Sequence, residues 1–256
     1  MLTERRFTLP LQALEPVDLD GTGGLTLMLL NPTGGLLAGD VLDTRVIVGA
    51  GSRVCLTTPA ATRVYRSAGP RAVQRFSASV GEGAVLEYVP DHLIPSPGSR
   101  LEQRMEVALG AGSVFIGADA WAVGRAARGE AWRFSELDTA QTIRDARGLV
   151  LRERSIVSGT RGWDGLGGAE GCAYVATFVA IAPARDEWGE LAQELSVALA
   201  RRRSGANFAV TALARGGLLA RLLCPSAPAL EQSVQTLWAG CRLRLLGLPP
   251  LALRKL

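Results

Sequence analysis

Five acids stand where chemistry could be built: Asp40, Glu87, Asp91, Asp119 and Glu130, each beside a turn or inside apolar sequence. Carboxylate oxygens suit hard divalent cations, and a sparse set holds a metal weakly enough to pass it on. The same acids could cap loops or pair with arginine, as most acids do, so spacing alone leaves both readings open. The chain's one histidine, His92, directly follows Asp91. A carboxylate can orient an imidazole for acid–base work, but neighbours along a strand point to opposite faces. Thr57 and Thr58 would need a base to act as nucleophiles, and none is visible. There is no G-x-x-x-x-G-K-[ST], no G-x-S-x-G and no H-E-x-x-H. The four cysteines, Cys55, Cys172, Cys224 and Cys241, lie far apart with no C-x-x-C spacing. They read as small core hydrophobes of a reducing compartment, and a single histidine excludes a histidine-based metal site built from this chain alone. These residue types point away from catalysis. The rival is a β-solenoid-like hydrolase using Asp91, His92 and a neighbouring acid, since many carbohydrate-active enzymes use paired carboxylates.

These side chains need a frame. The stretch NPTGGLLAGD, residues 31–40, sets Pro32, Gly34, Gly35 and Gly39 around a buried-looking Leu36–Leu37 pair. So many breakers in one place specify a loop of one shape. A Gly-x-Gly phrase recurs at Gly49, Gly81 and Gly110, about 30 residues apart, each time between β-rich segments. It reads as strand, tight turn, strand, the turn chemistry of a short hairpin, or as stacked coils of a solenoid. With no third glycine and no following helix, it is not a dinucleotide fingerprint.

Alternation is clean over RLEQRMEVALG, where Leu101, Gln103, Met105, Val107 and Leu109 share one face and Glu102, Arg104 and Glu106 the other. Trp132 and Phe134 continue that period of two, and a hairpin is expected around Asp145 to Gly148. Residues 158–171 are glycine-rich and read as a long loop, with the mobility such loops have. After residue 172 the texture changes. A buried strand is followed by a helix capped by Asp186, with Trp188, Leu191, Leu195 and Leu199 at helical spacing. Arg201 to Arg203 fall in its last turn. Two strands then meet across Gly216–Gly217. A second helix opens near Ser226 and Pro228, aligns Leu230, Val234, Leu237, Cys241 and Leu245, and stops at Gly247. The expected fold is mainly β, a β-helix-like stack of sheets with a small α+β C-terminal part carrying two helices. One domain, 1–256, is expected, with a strand-rich body over 1–171 and the α+β part over 172–256.

Composition narrows the partners. The 256 residues carry 28 basic and 24 acidic side chains, a net charge of +4. That is too small a charge to argue for nucleic acid. Arginine supplies nearly all the positive charge, and Lys255 is the only lysine. No apolar run approaches the roughly 20 residues of a membrane span. The N-terminus lacks the apolar core of a signal peptide, so the cytoplasm is the expected location.

Several of these pieces together resemble the urease accessory protein UreD (UreH) family: GGLLAGD (34–40), TTPAATRVYRS (57–67), LEYVPD (86–91) and GRAARGE (124–130), in that order. RDARGLVLRERSIV (144–157) fits as well. The resemblance implies a maturation chaperone and not an enzyme, with no permanently bound cofactor. It implies apo-urease and a UreF-type accessory protein as partners, with a UreG-type GTPase recruited through UreF. Nickel(II) would pass transiently through an internal passage. By matching positions it implies Asp40, Glu87, Asp91 and Glu130 as passage residues. Gly34, Gly35, Gly39, Thr57, Thr58, Tyr65, Arg66 and Arg125 would be motif residues of structural weight. Three departures stand out: Pro59 where the family commonly has glutamine, Arg63 for the usual lysine, and a tail, GLPPLALRKL, without the Pro-Arg-x-Trp ending. An interaction module for another metalloenzyme, on the same fold, is the blander alternative.

Overall fold

The recurring Gly-x-Gly turns are the corners of a coil. In a computed structural model, which describes residues 2–159, 163–183 and 185–253, the chain winds through a stack of similar turns. A short strand, β1 (Gln12–Ala13), precedes them. The first coil comprises β2 (Leu25–Leu30), β3 (Gly35–Leu36) and β4 (Val41–Val48). The second comprises β5 (Arg53–Thr57), β6 (Thr62–Val64) and β7 (Ala72–Val80). The third comprises β8 (Val85–Tyr88), β9 (Leu93–Pro95) and β10 (Arg100–Leu109). In the fourth, β11 (Val114–Ala122) does the work of two strands before β12 (Glu136–Asp145).

Equivalent strands pair in parallel from coil to coil: β2, β5, β8 and β11 in one sheet, and β4, β7, β10 and β12 in another. The strands flanking each Gly-x-Gly turn therefore belong to different sheets, and the hairpin reading of those turns is corrected to the solenoid one. Two physical demands explain the two glycines. A Cβ on Gly81 or Gly110 would lie 2.8–2.9 Å from the backbone of the corner before it, so the corners stack only without side chains. The second glycine of each phrase, Gly51, Gly83 and Gly112, takes a positive φ of 61–65°, where a side chain is strained.

The rest of the chain completes both sheets. The expected hairpin forms at residues 145–148, and β13 (Gly148–Val157) ends the smaller, five-stranded sheet antiparallel to β12. Next, β14 (Tyr174–Ile181) pairs antiparallel with β11 and carries the larger sheet onward. After helix α1 (Trp188–Arg202), β15 (Asn207–Leu213) and β16 (Gly217–Cys224) form the hairpin that closes that sheet. Helix α2 (Ala227–Cys241) then runs into a π-helical turn, Arg242–Leu246, ended by Gly247 at φ 66°. The fold is mainly β with stacked parallel sheets and two C-terminal helices, as the sequence leads one to expect.

Some local expectations are corrected. Asp186 does not cap α1; Glu187 occupies that position with φ 65° and makes no side-chain capping bond. Ser226 does cap α2, accepting a hydrogen bond from the Ala229 N–H at 3.3 Å. Residues 131–135 are turn and coil, not strand: Trp132 adopts φ 60° and joins Trp121 and Phe134 in an aromatic cluster. Leu36 is fully buried but Leu37 is 54 % exposed, so they are not a buried pair. The described part of the glycine-rich segment, 158–159 and 163–171, is turn and coil, and residues 160–162 lie outside the described residues.

Three layers result. Both helices pack on the outer face of the larger sheet, where Trp188, Leu195, Leu237 and Trp238 meet Ile116, Phe178, Ala220 and Leu222. Between the sheets the apolar core falls into two clusters. One is built around Phe76, Tyr88, Met105 and Phe115, the other around Leu36, Leu101, Trp121 and Phe134.

Candidate functional site

What divides those two clusters is polar. On the inner face of β7, Gln74 lies between Ala72 and Phe76; on β10, Gln103 lies between Leu101 and Met105; on β12, Thr139 and Gln141 lie between Leu137 and Ile143. Strand register lines them up, with Gln74 opposite Gln103 and Gln103 opposite Thr139. On β13, Ser155 continues the row beside Thr139. Parallel pairing without slippage turns one polar position per coil into a belt crossing the sheet. The larger sheet answers with Asp119, on β11. Gln74, Gln103, Gln141, Asp119, Tyr88 and Met105 line a pocket of about 380 Å³, its mouth included.

Two properties make this belt a candidate site. The side-chain carbonyl oxygens of Gln74 and Gln103 are buried with no hydrogen-bond partner. Buried polar atoms are normally satisfied, and leaving one unsatisfied costs about 1–3 kcal/mol. Asp119, moreover, makes no ion pair with any described residue. Burial pushes its carboxyl up to about 6, against a hydrogen bond from Gln103 and with the charge of Glu153 adding to the rise. The belt reaches the surface at Glu153, which accepts from Gln141 Nε2 at 3.1 Å and pairs with the exposed Arg221 at 2.9 Å. Oxygen donors alone, with one carboxylate, match weak and reversible contact with a divalent cation. Among the described residues no group of three or more His, Cys, Asp or Glu is placed to hold a metal.

The four acids matched by motif stand elsewhere. Asp40 closes its own loop, accepting from the Leu37 N–H at 2.8 Å. Glu130 is bidentate with Arg125, at 2.5 and 3.0 Å, across the turn that Gly124 opens. The Asp91 N–H donates to Thr58 Oγ1 at 2.8 Å, and His92 meets Tyr174 edge-on. Glu87 faces away from the belt, towards α2. It accepts from Trp238 Nε1 and pairs at 2.5 Å with Arg242, whose other nitrogens reach Asp20 at 2.5 Å and the Pro249 carbonyl at 2.8 Å. Burial pushes Glu87 upward, opposed by the Arg242 charge and the bonds from Trp238 and Arg242. Burial also works upward on Asp20, but hydrogen bonds from Thr22 and the nearby Arg242 outweigh it and hold that acid low. Structure does not bring Asp40, Glu87, Asp91 and Glu130 together at one place.

The motif residues share one face of the coil stack. Gly35 lies so close to Arg63 and Tyr65 that a Cβ would fall 2.3 Å from the Arg63 carbonyl. Gly34 and Gly39 take φ of 73° and 83° on either side. Thr57 is fully buried and donates to the Val89 carbonyl at 2.7 Å, while Thr58 receives Asp91. The stem of Arg66 lies over Gly98. Three of the four segments are thus the same corner of successive coils, stitched to one another. Sequence reasoning singled out Asp119 but missed its partners Gln74, Gln103, Thr139 and Gln141. The available signal was a polar residue recurring in phase with an apolar, inward-facing alternation. Asp20, Trp238 and Arg242 were missed too, and only the arginine at the end of an apolar helix pointed to them.

A family model described as UreD urease accessory protein matches residues 1–255. The chain is 34 % identical to a urease accessory protein UreD of Mycolicibacterium gilvum over 94 % of its length and 86 % of that protein's. It is also 34 % identical to one of Actinomyces naeslundii, over 96 % and 89 % of the two lengths. A third, from Opitutus terrae, is 32 % identical over 93 % and 87 %. With a whole-length match of this kind, the chain belongs to the UreD urease accessory protein family.

Proposed function

We propose that the chain is a non-catalytic scaffold for urease maturation that passes nickel(II) along its polar belt. In this reading it works in the cytoplasm between apo-urease and a UreF-type protein, through which a UreG-type GTPase is recruited. Its family membership supports the urease assignment, because its relatives carry that name. One observation supports the passage: Asp119, which forms no ion pair among the described residues, shares a pocket between the sheets with two unsatisfied amide carbonyls. Oxygen ligands of modest number exchange nickel readily, whereas imidazole and thiolate would retain it. Asp40, Glu87, Asp91 and Glu130 then act mainly by holding the corners and the helix in place, and Asp119 carries the cation.

The test is Asp119→Asn, assayed in cells or in a reconstituted mixture with limiting nickel. Urease activation is expected to fall about tenfold or more while the variant still co-purifies with apo-urease and the UreF-type partner. Activation at the wild-type level would remove the belt from nickel transfer; loss of co-purification would show that Asp119 acts on assembly instead.

A further inference from the structure

The edges of the two sheets are not treated alike. The larger sheet is closed at its start by β1 and the Val17–Thr26 bridge, and α1 packs along β15 at its far end. In the smaller sheet β4 is the outermost strand on its side, with β7 as its one partner. It has no proline, lysine or bulge, three of the devices that keep such edges from pairing; its charges are one acid and one base, Asp43 and Arg45, and Val41 and Ile47 are 54 % and 72 % exposed on it.

The free backbone groups of β4 can be placed. The carbonyls of Asp40 and Val48 accept from Val73 and Gly81 on the β7 side, each at 2.8 Å. A residue's N–H and C=O leave a strand on the same side, so positions 42, 44, 46 and 48 bond to β7. Positions 41, 43, 45 and 47 offer both groups to the open edge. An isologous two-fold contact requires that each residue's partner have itself as partner. Antiparallel pairing centred on Thr44 satisfies this: Val41 meets Ile47, Asp43 meets Arg45, and Thr44 meets its own copy. The first two meetings join apolar to apolar and acid to base, and the third sets two threonines side by side. Arg45 makes no ion pair among the described residues, while Asp43 already pairs with Arg75 at 3.3 Å. The arriving guanidinium would extend that row of alternating charge.

The opposite edge, β13, gives the contrary answer. Pairing it antiparallel about Glu153, one of its two central residues, would set Arg152 against Arg154, and like charges directly opposite destabilise a pair. That register of β13 repels itself, whereas the one about Thr44 in β4 does not.

We propose that β4 is a homodimer edge, at which two copies of this chain join their five-stranded sheets by antiparallel pairing about Thr44. This does not rest on the nickel reading. The test is sedimentation of the full chain over a concentration series, with wild type, Asp43→Arg, Arg45→Asp and the double exchange. Wild type is expected to form a concentration-dependent dimer. Either single reversal sets like charges opposite at both symmetry-related positions and should weaken the dimer on the order of tenfold. The double exchange should restore it. Thermal melts of each variant confirm that the monomer fold persists. A monomeric wild type, a dimer indifferent to the single reversals, or a double exchange that fails to restore association would overturn the proposal.

Discussion

Two carboxylates, the buried Glu87 and the half-buried Asp119, sit on neighbouring strands of the same sheet and are treated in opposite ways. Glu87 points to the helical side, where Arg242 and Trp238 meet it and Asp20 shares the guanidinium. Asp119 points between the sheets, where it takes a hydrogen bond from Gln103 and forms no ion pair among the described residues. Desolvation raises both acids, and only the first has a full positive charge to offset it. The difference separates a fastening from a vacancy in the electrostatics. A compensated charge holds two parts of the chain in register. An uncompensated one is a standing cost, and it persists when something outside the fold makes use of it.

The comparison is broken most severely by removing the base. Arg242→Met leaves Glu87 and Asp20 without their cation and is expected to cost about 3–5 kcal/mol in chemical denaturation. A loss below about 1 kcal/mol would mean that the cluster fastens nothing. The second variant should move stability the other way. Asp119→Asn removes a carboxyl whose folded value, about 6, lies above its ordinary 3.8. The folded wild type therefore prefers the protonated form, and its stability falls as pH rises from about 4 through about 6. Asn is expected to gain about 1–3 kcal/mol at neutral pH, a gain that fades below pH 4. Equal melting temperatures at pH 7.5 would contradict the assignment of Asp119 as uncompensated.

The smallest effect sharpens the contrast from the outer face of the small sheet. There Asp138 is held down to about 2 by hydrogen bonds from Arg154 and Arg104, against the upward pull of burial. Its contribution is present above pH 3.8 and lost as pH falls towards 2. With Arg154 54 % exposed, solvent screening limits the pair, and Asp138→Asn is expected to cost about 1 kcal/mol at pH 7. That difference should vanish near pH 2.

Much of the frame was legible before any coordinates. The alternation of β10 sets Leu101, Met105, Val107 and Leu109 inward, as found, and both helices bury the residues their spacing aligns, save Val234, which is partly buried. The Gly-x-Gly turns show why the rest was not. A hairpin and a solenoid corner both call for glycine at a positive φ. Which one forms depends on whether the next strand pairs with its neighbour or with a strand about 30 residues away, a choice local chemistry does not encode. The site had the same character. Asp119 stood out as an acid within apolar sequence, but Gln74, Gln103 and Thr139 come together only through register. In the same way, Asp186 looked like a helix cap until the backbone at Glu187 turned to φ 65°.

The reach of Arg242 has a consequence for how the molecule is made. Asp20 and Glu87 leave the ribosome first, and the guanidinium they share follows 222 and 155 residues later. Through most of translation the early coils carry acids whose base does not yet exist, so vectorial synthesis leaves the stack open at the side α2 will cover. Its last tie is fastened from the opposite end of the polypeptide, and a chain cut short before that point cannot fasten it.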